Sequence, residues 1–294
     1  MRSHLTSKKI RSKIKSIAKE SKSLIEVILP KKRFVRIIAL KEEQISVSEM
    51  RLSSLLLQIK HKLPFTHFIS IPFNHEVMQN NFNTFRENIC KHPSVEQWNI
   101  NSLLFQNPNK IHLTFGILVL MTDEERTRAT RTLQLCQEEV VKPILGDKPL
   151  VVDVKGVDVM NRDPNKAHVL YAKIQNTNLL QSIADQVVDR FVKQGLMAKQ
   201  KDPVKLHVTL MNSLFRLRKG KRRKSLMSEC SDGSSEISMK NKKKGRQYFD
   251  ASEIVQNFSD FTFAENLTLN EIHLSKVSYV DKDGYYAAME KINL

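Results

Sequence analysis

The chain has 294 residues, of which 40% are hydrophobic and 27% are charged, and it carries a formal net charge of +17. This composition predicts a soluble protein of one to three domains and excludes a membrane helix, because the longest apolar run, at 115–121, is far shorter than the roughly 20 residues that a span needs. The three cysteines are widely separated and the first residues form no apolar signal, which argues against a disulfide framework, a zinc finger and secretion.

The positive charge is concentrated in two segments. Residues 1–36 carry a net charge of +10 and residues 216–246 carry +9, so the rest of the chain is nearly neutral. Dense basic segments attract phosphate backbones through counterion release, and they also serve as nuclear import signals. We therefore expect a nucleic-acid or nuclear role for the protein. The alternative is that these segments are solvated tails that only aid solubility.

The first predicted unit covers residues 1–63 and has the order helix, strand, strand, helix. Isoleucines at helical spacing predict a helix at 7–21, and a second helix is predicted at 47–62. Apolar runs at 23–30 and 33–40, joined by a basic turn, predict two strands between these helices. Such a unit is too small to bury much surface alone, so we expect it to pack on another part of the protein.

The second predicted unit, residues 64–294, mixes strands and helices. Thr122 and Glu125 form the capping box of one helix, and Gly195 marks the end of another. Residues 216–249, rich in Lys, Arg and Ser, are predicted to be a disordered basic insertion. The predicted strands lie at 64–73, 110–120, 148–160, 168–175, 205–215, 267–280 and 284–294, the last two as a hairpin. The predicted helices lie around 82–89, 122–145, 178–195 and 249–258.

One short pattern occurs twice, as KIHLTF at 110–115 and as KLHVTL at 205–210. The alternation of a strand places Lys, His and Thr on one face and the three apolar residues on the other. A single His-x-Thr strand is usually a half-buried strand with an incidental histidine, because such short motifs have a high false-positive rate. Two copies with matched flanks favour a shared site and indicate an internal duplication.

The paired motifs suit acid–base chemistry on a phosphodiester. Histidine has an ordinary pKa near neutral pH, so one of His112 and His207 can take a proton from an attacking water or hydroxyl while the other gives a proton to the leaving oxygen. The hydroxyls of Thr114 and Thr209 can donate hydrogen bonds to non-bridging phosphate oxygens. No carboxylate or cysteine lies at ligand spacing beside these histidines, so neither a metal nor another cofactor is predicted.

These motifs resemble the paired His-x-Thr signature of the two-histidine (2H) phosphoesterases. The wider sequence, from THFISIPF at 66–73 to EIHLSKVSYVD at 271–281, resembles the family of activating signal cointegrator 1 complex subunit 1. The phosphoesterase-like domain of that family is similar to the central domain of some nuclear A-kinase anchoring proteins. The resemblance implies an α+β, bilobal, pseudo-twofold domain around a central cleft, with His112, Thr114, His207 and Thr209 as catalytic residues.

The same resemblance implies an activity and partners. Relatives act on 2′,3′-cyclic phosphates and related RNA ends or bind nucleotides. The cointegrator subunit belongs to a nuclear complex with a helicase subunit, linked to transcriptional coactivation and alkylation-damage repair. In that family a KH domain comes first, and residues 1–63 resemble the C-terminal part of one, a truncated KH-like unit without the Gly-x-x-Gly loop that clamps nucleic acid. The insertion at 216–249 is a second departure from the family pattern.

Three functions stay open on these residues. The protein is a metal-independent phosphodiesterase, or a reader that binds a nucleotide or RNA end without turnover, or a scaffold subunit with a vestigial cleft. Both motifs are intact, which favours the first two functions over the third. The sequence leaves the acid and base assignment of His112 and His207 open. A third histidine, His273, forms a looser His-x-Ser pattern with Ser275, and we expect a structural or rim role for it.

Overall fold

The computed structural model of the protein describes residues 8–28, 34–60, 63–198, 201–216 and 246–294. It divides into two compact units, Met1–Pro64 and Phe65–Leu294. Most of the predicted insertion, residues 217–245, lies outside the described residues. Its predicted last residue, Phe249, is fully buried and forms a β-bridge with Ala167.

The first unit has the predicted order of elements. Helix α1 covers Lys8–Glu20, strands β1 and β2 cover Leu24–Ile28 and Phe34–Ile38 and pair antiparallel, and helix α2 covers Glu42–Lys60. Helix α2 therefore begins five residues before the predicted start at Val47, where the apolar periodicity begins. Two glutamates in its first turn favour this earlier start, because acidic side chains stabilise the positive end of the helix dipole.

The core of this unit is small. Among its described residues, it is built on Ile14 of α1 and on Leu52 and Leu55 of α2. Several apolar side chains stay exposed, including Leu40, which is fully exposed. The resemblance of this unit to part of a KH domain stays a prediction.

The second unit is built on one antiparallel sheet of eight strands. The strands are β3 (His67–Pro72), β4 (His112–Leu118), β5 (Leu150–Val159), β6 (Val169–Gln175), β7 (Val208–Asn212), β8 (Thr262–Leu269), β9 (Glu271–Val280) and β10 (Tyr286–Asn293). Their order across the sheet is β10-β9-β3-β4-β7-β6-β5-β8. The two His-x-Thr strands, β4 and β7, are therefore neighbours at the centre of the sheet.

Helices pack on this sheet through apolar stripes. They are α3 (Glu76–Cys90), α4 (Asp123–Cys136), α5 (Lys142–Leu145), α6 (Asn178–Lys193) and α7 (Ser252–Asn257). A π-helical segment joins α4 to α5, and the predicted capping box of Thr122 and Glu125 is confirmed at the start of α4. None of the helices in the described ranges is long and apolar enough to cross a membrane.

The arrangement repeats a strand–helix–strand unit around the centre of the sheet. Strand β3, helix α3 and motif strand β4 form one copy, and β6, α6 and motif strand β7 form the other. In each copy the first strand pairs antiparallel with the motif strand. The predicted α+β fold with two pseudo-twofold halves is confirmed.

The prediction of one strand at 267–280 is wrong. The chain there forms two strands separated by Asn270, and the first begins earlier, at Thr262. Strand β8 pairs with β5 at one edge of the sheet, whereas β9 pairs with β3 and β10 in the other half. Alternation of apolar and polar residues continues through this region, so periodicity alone shows no break. Since one residue joins strands in different halves, the sheet must curl to bring these halves together.

Candidate functional site

The two motif strands place their polar residues side by side. Leu113 of β4 pairs directly with Val208 of β7, and both side chains are fully buried. Directly paired residues of antiparallel strands share a face, and so do residues two positions along. This register sets His112 across from Thr209 and Thr114 across from His207. All four predicted site residues therefore lie on one face of the sheet.

Each motif strand also has a β-bulge immediately after its threonine. Against β3, strand β4 has Phe115 as an extra residue, and against β6, strand β7 has Leu210 as an extra residue. A bulge shifts the alternation by one residue, so both bulge residues are buried with the residues that follow them. Ile117 and Asn212, three positions after each threonine, consequently join the polar face and line its cavity. Alternation along an unbulged strand predicts neither of them.

The two imidazole rings are held in the same way. Nδ1 of His112 lies 2.7 Å from the carbonyl oxygen of Lys110, and Nδ1 of His207 lies 2.6 Å from that of Lys205. A carbonyl oxygen can only accept a hydrogen bond, so Nδ1 carries the proton in both rings. In the neutral state this leaves Nε2 as the proton acceptor of each histidine. Both rings are thus prepared for proton exchange at Nε2.

A tyrosine stands edge-on to each histidine. Tyr286 of β10 lies 5.5 Å from the ring of His112, and Tyr171 of β6 lies 5.6 Å from the ring of His207. The lysine two residues before each histidine places its Nζ 4.8 Å from the centroid of the same tyrosine ring. This Lys–His–Tyr arrangement is repeated in both halves, and the sequence motif contains only two of its three members. Tyr171 pairs with Thr209 across the strands, which only the register reveals.

Burial keeps both histidines neutral at neutral pH. It lowers the pKa of His112 to about 4; the hydrogen bond to the Lys110 carbonyl opposes this shift, and the charge of His207 adds to it. Burial also lowers the pKa of His207, again against the hydrogen bond to the Lys205 carbonyl and with a further contribution from the Lys205 ammonium. A bound phosphate would favour the charged imidazolium form, since an opposite charge raises the pKa of a histidine.

A cavity of about 290 Å³ opens on this face of the sheet. Its size is close to the lower end of small-molecule sites, roughly 300 Å³. Of the four predicted site residues, its wall includes His112, Thr114 and Thr209, whereas His207 lies outside the lining. The other lining residues are mainly aromatic or aliphatic: Phe65, Phe68, Gln106, Ile117, Asn212, Leu214, Phe215, Val277 and Tyr286.

The third histidine lies away from the cavity. On strand β9, His273 pairs with Ser70 of β3, and Ser70 pairs with Thr114 of β4. His273 therefore lies on the same face of the sheet as the site, two strands away. Its side chain is buried beneath Tyr285, and its Nε2 lies 2.7 Å from Oε2 of Glu271. Burial lowers the pKa of His273, and the hydrogen bond with Glu271 opposes that shift.

Among the residues that the structure describes, no group of three or more His, Cys, Asp or Glu side chains is placed to hold a metal ion. The site consists of imidazoles, hydroxyls and ammonium groups around an aromatic cavity. These groups can bind an anion, move protons at two Nε2 atoms and contact a flat apolar ring.

A family model described as the AKAP7 2'5' RNA ligase-like domain matches residues 65–294. The chain belongs to this family. The match covers the whole second unit, including both motif strands of the AKAP7 2'5' RNA ligase-like domain and the hairpin that carries Tyr286. The catalytic roles of His112, Thr114, His207 and Thr209 stay predictions.

The chain is 36% identical over 244 residues to mouse activating signal cointegrator 1 complex subunit 1, covering 81% of this chain and 65% of that protein. The chain thus spans just under two thirds of that relative's length. This similarity confirms the resemblance indicated by the motifs. An uncharacterized protein of Schizosaccharomyces pombe is 24% identical over 193 residues, or 65% of this chain and 80% of that protein.

Solved structures with a similar arrangement include a phosphoesterase, with a TM-score of 0.46, 12% identity and coverage of 79% of this chain and 99% of that chain. Escherichia coli LigT complexed with 3'-AMP has a TM-score of 0.45, 12% identity and the same coverage.

Proposed function

We propose that the protein is a 2H phosphodiesterase that acts on RNA ends, with 2′,3′-cyclic phosphates as its substrate class. The observation that carries this proposal is the cross-strand arrangement of His112 with Thr209 and of Thr114 with His207 on one face of the sheet. Both histidines bond a backbone carbonyl through Nδ1, which leaves Nε2 to exchange a proton with a substrate, and the cavity beside them has an aromatic wall. This combination suits a nucleotide whose base contacts aromatic rings and whose phosphate meets the His and Thr side chains.

The proposed reaction opens the cyclic phosphate with water. One histidine accepts a proton from water at Nε2 as the water oxygen forms a bond to phosphorus. The bond from phosphorus to one ribose oxygen breaks, and the other histidine, as imidazolium, gives that oxygen a proton. The product is a phosphomonoester with a free neighbouring hydroxyl. The hydroxyls of Thr114 and Thr209 donate hydrogen bonds to the non-bridging oxygens, where negative charge develops. The two imidazoles supply both proton transfers and the two threonine hydroxyls stabilise the developing charge, so the proposed reaction is metal-independent.

Because the pKa of each histidine is lowered, the mechanism needs a way to form an imidazolium. One imidazole must be charged to act as an acid, although burial favours the neutral form of both. The negative charge of the substrate phosphate raises the pKa of a neighbouring histidine and so stabilises its imidazolium form. The acid is therefore formed in the complex with substrate.

We further propose that the protein works as a subunit of a nuclear complex related to the activating signal cointegrator complex, with a helicase among its partners. The support is its similarity to mouse activating signal cointegrator 1 complex subunit 1, together with basic segments suited to nuclear import and RNA contact. In this proposal residues 1–63 act as a partial KH-like domain and residues 216–249 as a disordered basic insertion. Roles in transcription coactivation and DNA repair are part of the same proposal.

A second candidate is a reader that holds an RNA end without turnover, with the complex as its functional context. The neutral state of both histidines favours it, since a neutral imidazole cannot give a proton to a leaving oxygen, whereas the threonine hydroxyls and the lysines can still bind a phosphate. A scaffold with a vestigial cleft is the remaining alternative.

The deciding experiment measures hydrolysis of a short RNA with a terminal 2′,3′-cyclic phosphate, in the presence of EDTA. The intact protein is compared with His112→Ala, His207→Ala and the control His75→Ala, whose ring makes no side-chain cap in α3. Turnover that each cleft variant loses and the control keeps supports the phosphodiesterase. Binding without turnover that depends on Thr114 and Thr209 supports the reader. If the intact protein neither binds nor hydrolyses the RNA, the proposed function is wrong.

A further inference from the structure

Arg246 is fixed next to the wall of the cavity by neutral groups. Its Nε donates to the hydroxyl of Ser213 at 2.8 Å, and its Nη2 donates to the carbonyl oxygen of His168 at 3.2 Å and to Oδ1 of Asn212 at 3.1 Å. Asn212 itself lines the cavity. One side chain therefore separates the guanidinium of Arg246 from the cavity.

A second arginine comes directly after two cavity-lining residues in the chain and is bonded to Gln247, the neighbour of Arg246. Arg216 follows the lining residues Leu214 and Phe215, and its Nη1 donates to Oδ1 of Asn99 and to Oε1 of Gln247, both at 3.2 Å. Its Nη2 donates to the backbone carbonyl oxygen of Asn99 at 2.6 Å. Its Nε is buried and has no hydrogen-bond partner among the described residues.

These two positive charges are not neutralised within the described residues. Among the described residues, the acceptors of Arg216 and Arg246 are amide, hydroxyl and carbonyl oxygens, and neither arginine forms a salt bridge there. Burial lowers the pKa of both guanidinium groups. Guanidinium groups whose partners are neutral acceptors favour an anion as a further partner, because charge-assisted hydrogen bonds to a phosphate are stronger than those to neutral groups.

Arg246 has the geometry to receive that anion. Its Nε and Nη2 are engaged with the protein, whereas the structure records no bond from Nη1 to a described residue, and the residue as a whole is exposed. The protein contacts fix the plane of the guanidinium, so the charge is held in place before a ligand arrives. Preorganisation of this kind reduces the entropy lost on binding.

The size of the cavity indicates what the anion is. A cavity of about 290 Å³ holds one nucleotide at most, so a longer strand has to leave it. A strand that leaves on the side of the lining residue Asn212 would pass the guanidinium of Arg246, which is bonded to Oδ1 of Asn212. The adjacent phosphate of the strand then meets Arg246.

We propose that Arg246 forms a subsite for a second phosphate, which makes the protein selective for RNA strands over single nucleotides. This inference rests on the proposed function, because the terminal phosphate must occupy the His–Thr site. Arg246 acts as a specificity residue, and Arg216, which is bonded to the neighbouring Gln247, adds positive charge close to it.

A double-mutant cycle, with one change in the protein and one in the ligand, tests this inference. We would measure kcat/KM for 2′,3′-cyclic AMP, for a short RNA ending in a 2′,3′-cyclic phosphate, and for the same RNA with one uncharged methylphosphonate next to the end. The protein variants are Arg246→Gln, Arg246→Lys and the control Arg128→Gln, an exposed residue of α4. Arg246→Gln should reduce the preference for RNA over the mononucleotide by about 10- to 100-fold, the range of one charged hydrogen bond.

The methylphosphonate linkage should reduce the preference of the intact protein for RNA by the same factor as Arg246→Gln does. It should cause no further reduction in Arg246→Gln, because the contact between this arginine and the phosphate is already absent there. Arg246→Lys should regain part of the preference, and Arg128→Gln should keep all of it. Unchanged preference in Arg246→Gln, or losses that add, would overturn the inference. So would equal losses and equal drops in melting temperature for Gln and Lys, which indicate a purely structural anchor. Failure of the proposed function appears differently, as absence of activity on every substrate in the intact protein.

Discussion

The two motif strands are alike in local chemistry and different in their surroundings. Each has a histidine bonded to the carbonyl two residues back, a tyrosine at the ring edge, a lysine over that tyrosine and a bulge after the threonine. The difference lies in the rings around each histidine. Phe68 and Tyr286 both flank His112, whereas within the described residues Tyr171 is the aromatic neighbour of His207.

This difference shows how a duplicated motif can acquire two roles. A short motif determines hydrogen bonds within its own strand, so these bonds are the same in both copies. The neighbouring strands determine the depth of each ring, and β3 with β10 on one side differs from β6 on the other. Unequal burial separates the proton affinities of the two histidines, as the proposed acid–base pair would use.

The largest expected effect concerns the threonines, for which the two halves should be equivalent. Thr114→Val and Thr209→Val each remove one hydroxyl with little change in shape, and each should lower kcat/KM for the cyclic phosphate about 100-fold. Thr127→Val, on the exposed side of α4, is the control and should have wild-type activity. A large loss in one motif variant and none in the other would show that the halves hold the phosphate unequally.

The second effect should distinguish the two halves through acid stability. The pKa of His112 is about 4 in the folded protein, below its ordinary value of 6.5, so protons bind preferentially to the unfolded state and stability falls as pH falls through this window. Between pH 7.5 and pH 5 this residue should cost about 2 kcal/mol of the free energy of unfolding. His112→Gln should abolish that part of the loss in urea denaturation, and His207→Gln should abolish less. Equal behaviour of both variants would contradict unequal burial.

A smaller effect should come from the tyrosine of the second half. The hydroxyl of Tyr171 donates a hydrogen bond to Oδ2 of Asp158 at 3.0 Å. Tyr171→Phe should therefore lower the free energy of unfolding by about 1 kcal/mol, because the carboxylate loses a partner. Tyr279→Phe is the matched control, since that side chain is 65% exposed. The same loss in both variants would mean that the Asp158 contact contributes nothing specific.

The smallest effect concerns the ammonium group beside His207. The charge of Lys205 lowers the pKa of that histidine, so Lys205→Met should raise it. Titration of the imidazole proton signals by NMR measures the change, with Lys91→Met, an exposed residue at the end of α3, as the control. If the pKa of His207 is the same in Lys205→Met as in the intact protein, the Lys205 ammonium does not contribute to the difference between the two histidines.

Much of the site could be predicted from residues near each other in the chain. Alternation in the two motifs places His112 with Thr114 and His207 with Thr209, and a capping box marks the start of α4. What depends on strand pairing could not be predicted. Tyr171 and Tyr286 reach the histidines from other strands, and the bulges that bring Ile117 and Asn212 to the cavity depend on how neighbouring strands align.

The ends of some strands and helices could not be predicted from the sequence for the same reason. Periodicity reports which side of an element is apolar, and it continues through Asn270 although the partner strands change there. Helix α2 illustrates the opposite case, because its first turn is polar and its start depends on charge near the helix dipole. In both cases the deciding contacts lie outside the periodic pattern.

The passage from β8 to β9 through Asn270 has a consequence for how the protein folds during synthesis. Strands β3 and β5, made early, receive their outer neighbours from this late segment. Until it leaves the ribosome, the edges of both halves stay unpaired and the central cleft has no complete walls. Contacts so distant along the chain slow folding. Chaperones therefore have a long interval in which to protect the nascent chain, and a stop codon before Thr262 would leave two open sheet edges exposed to aggregation.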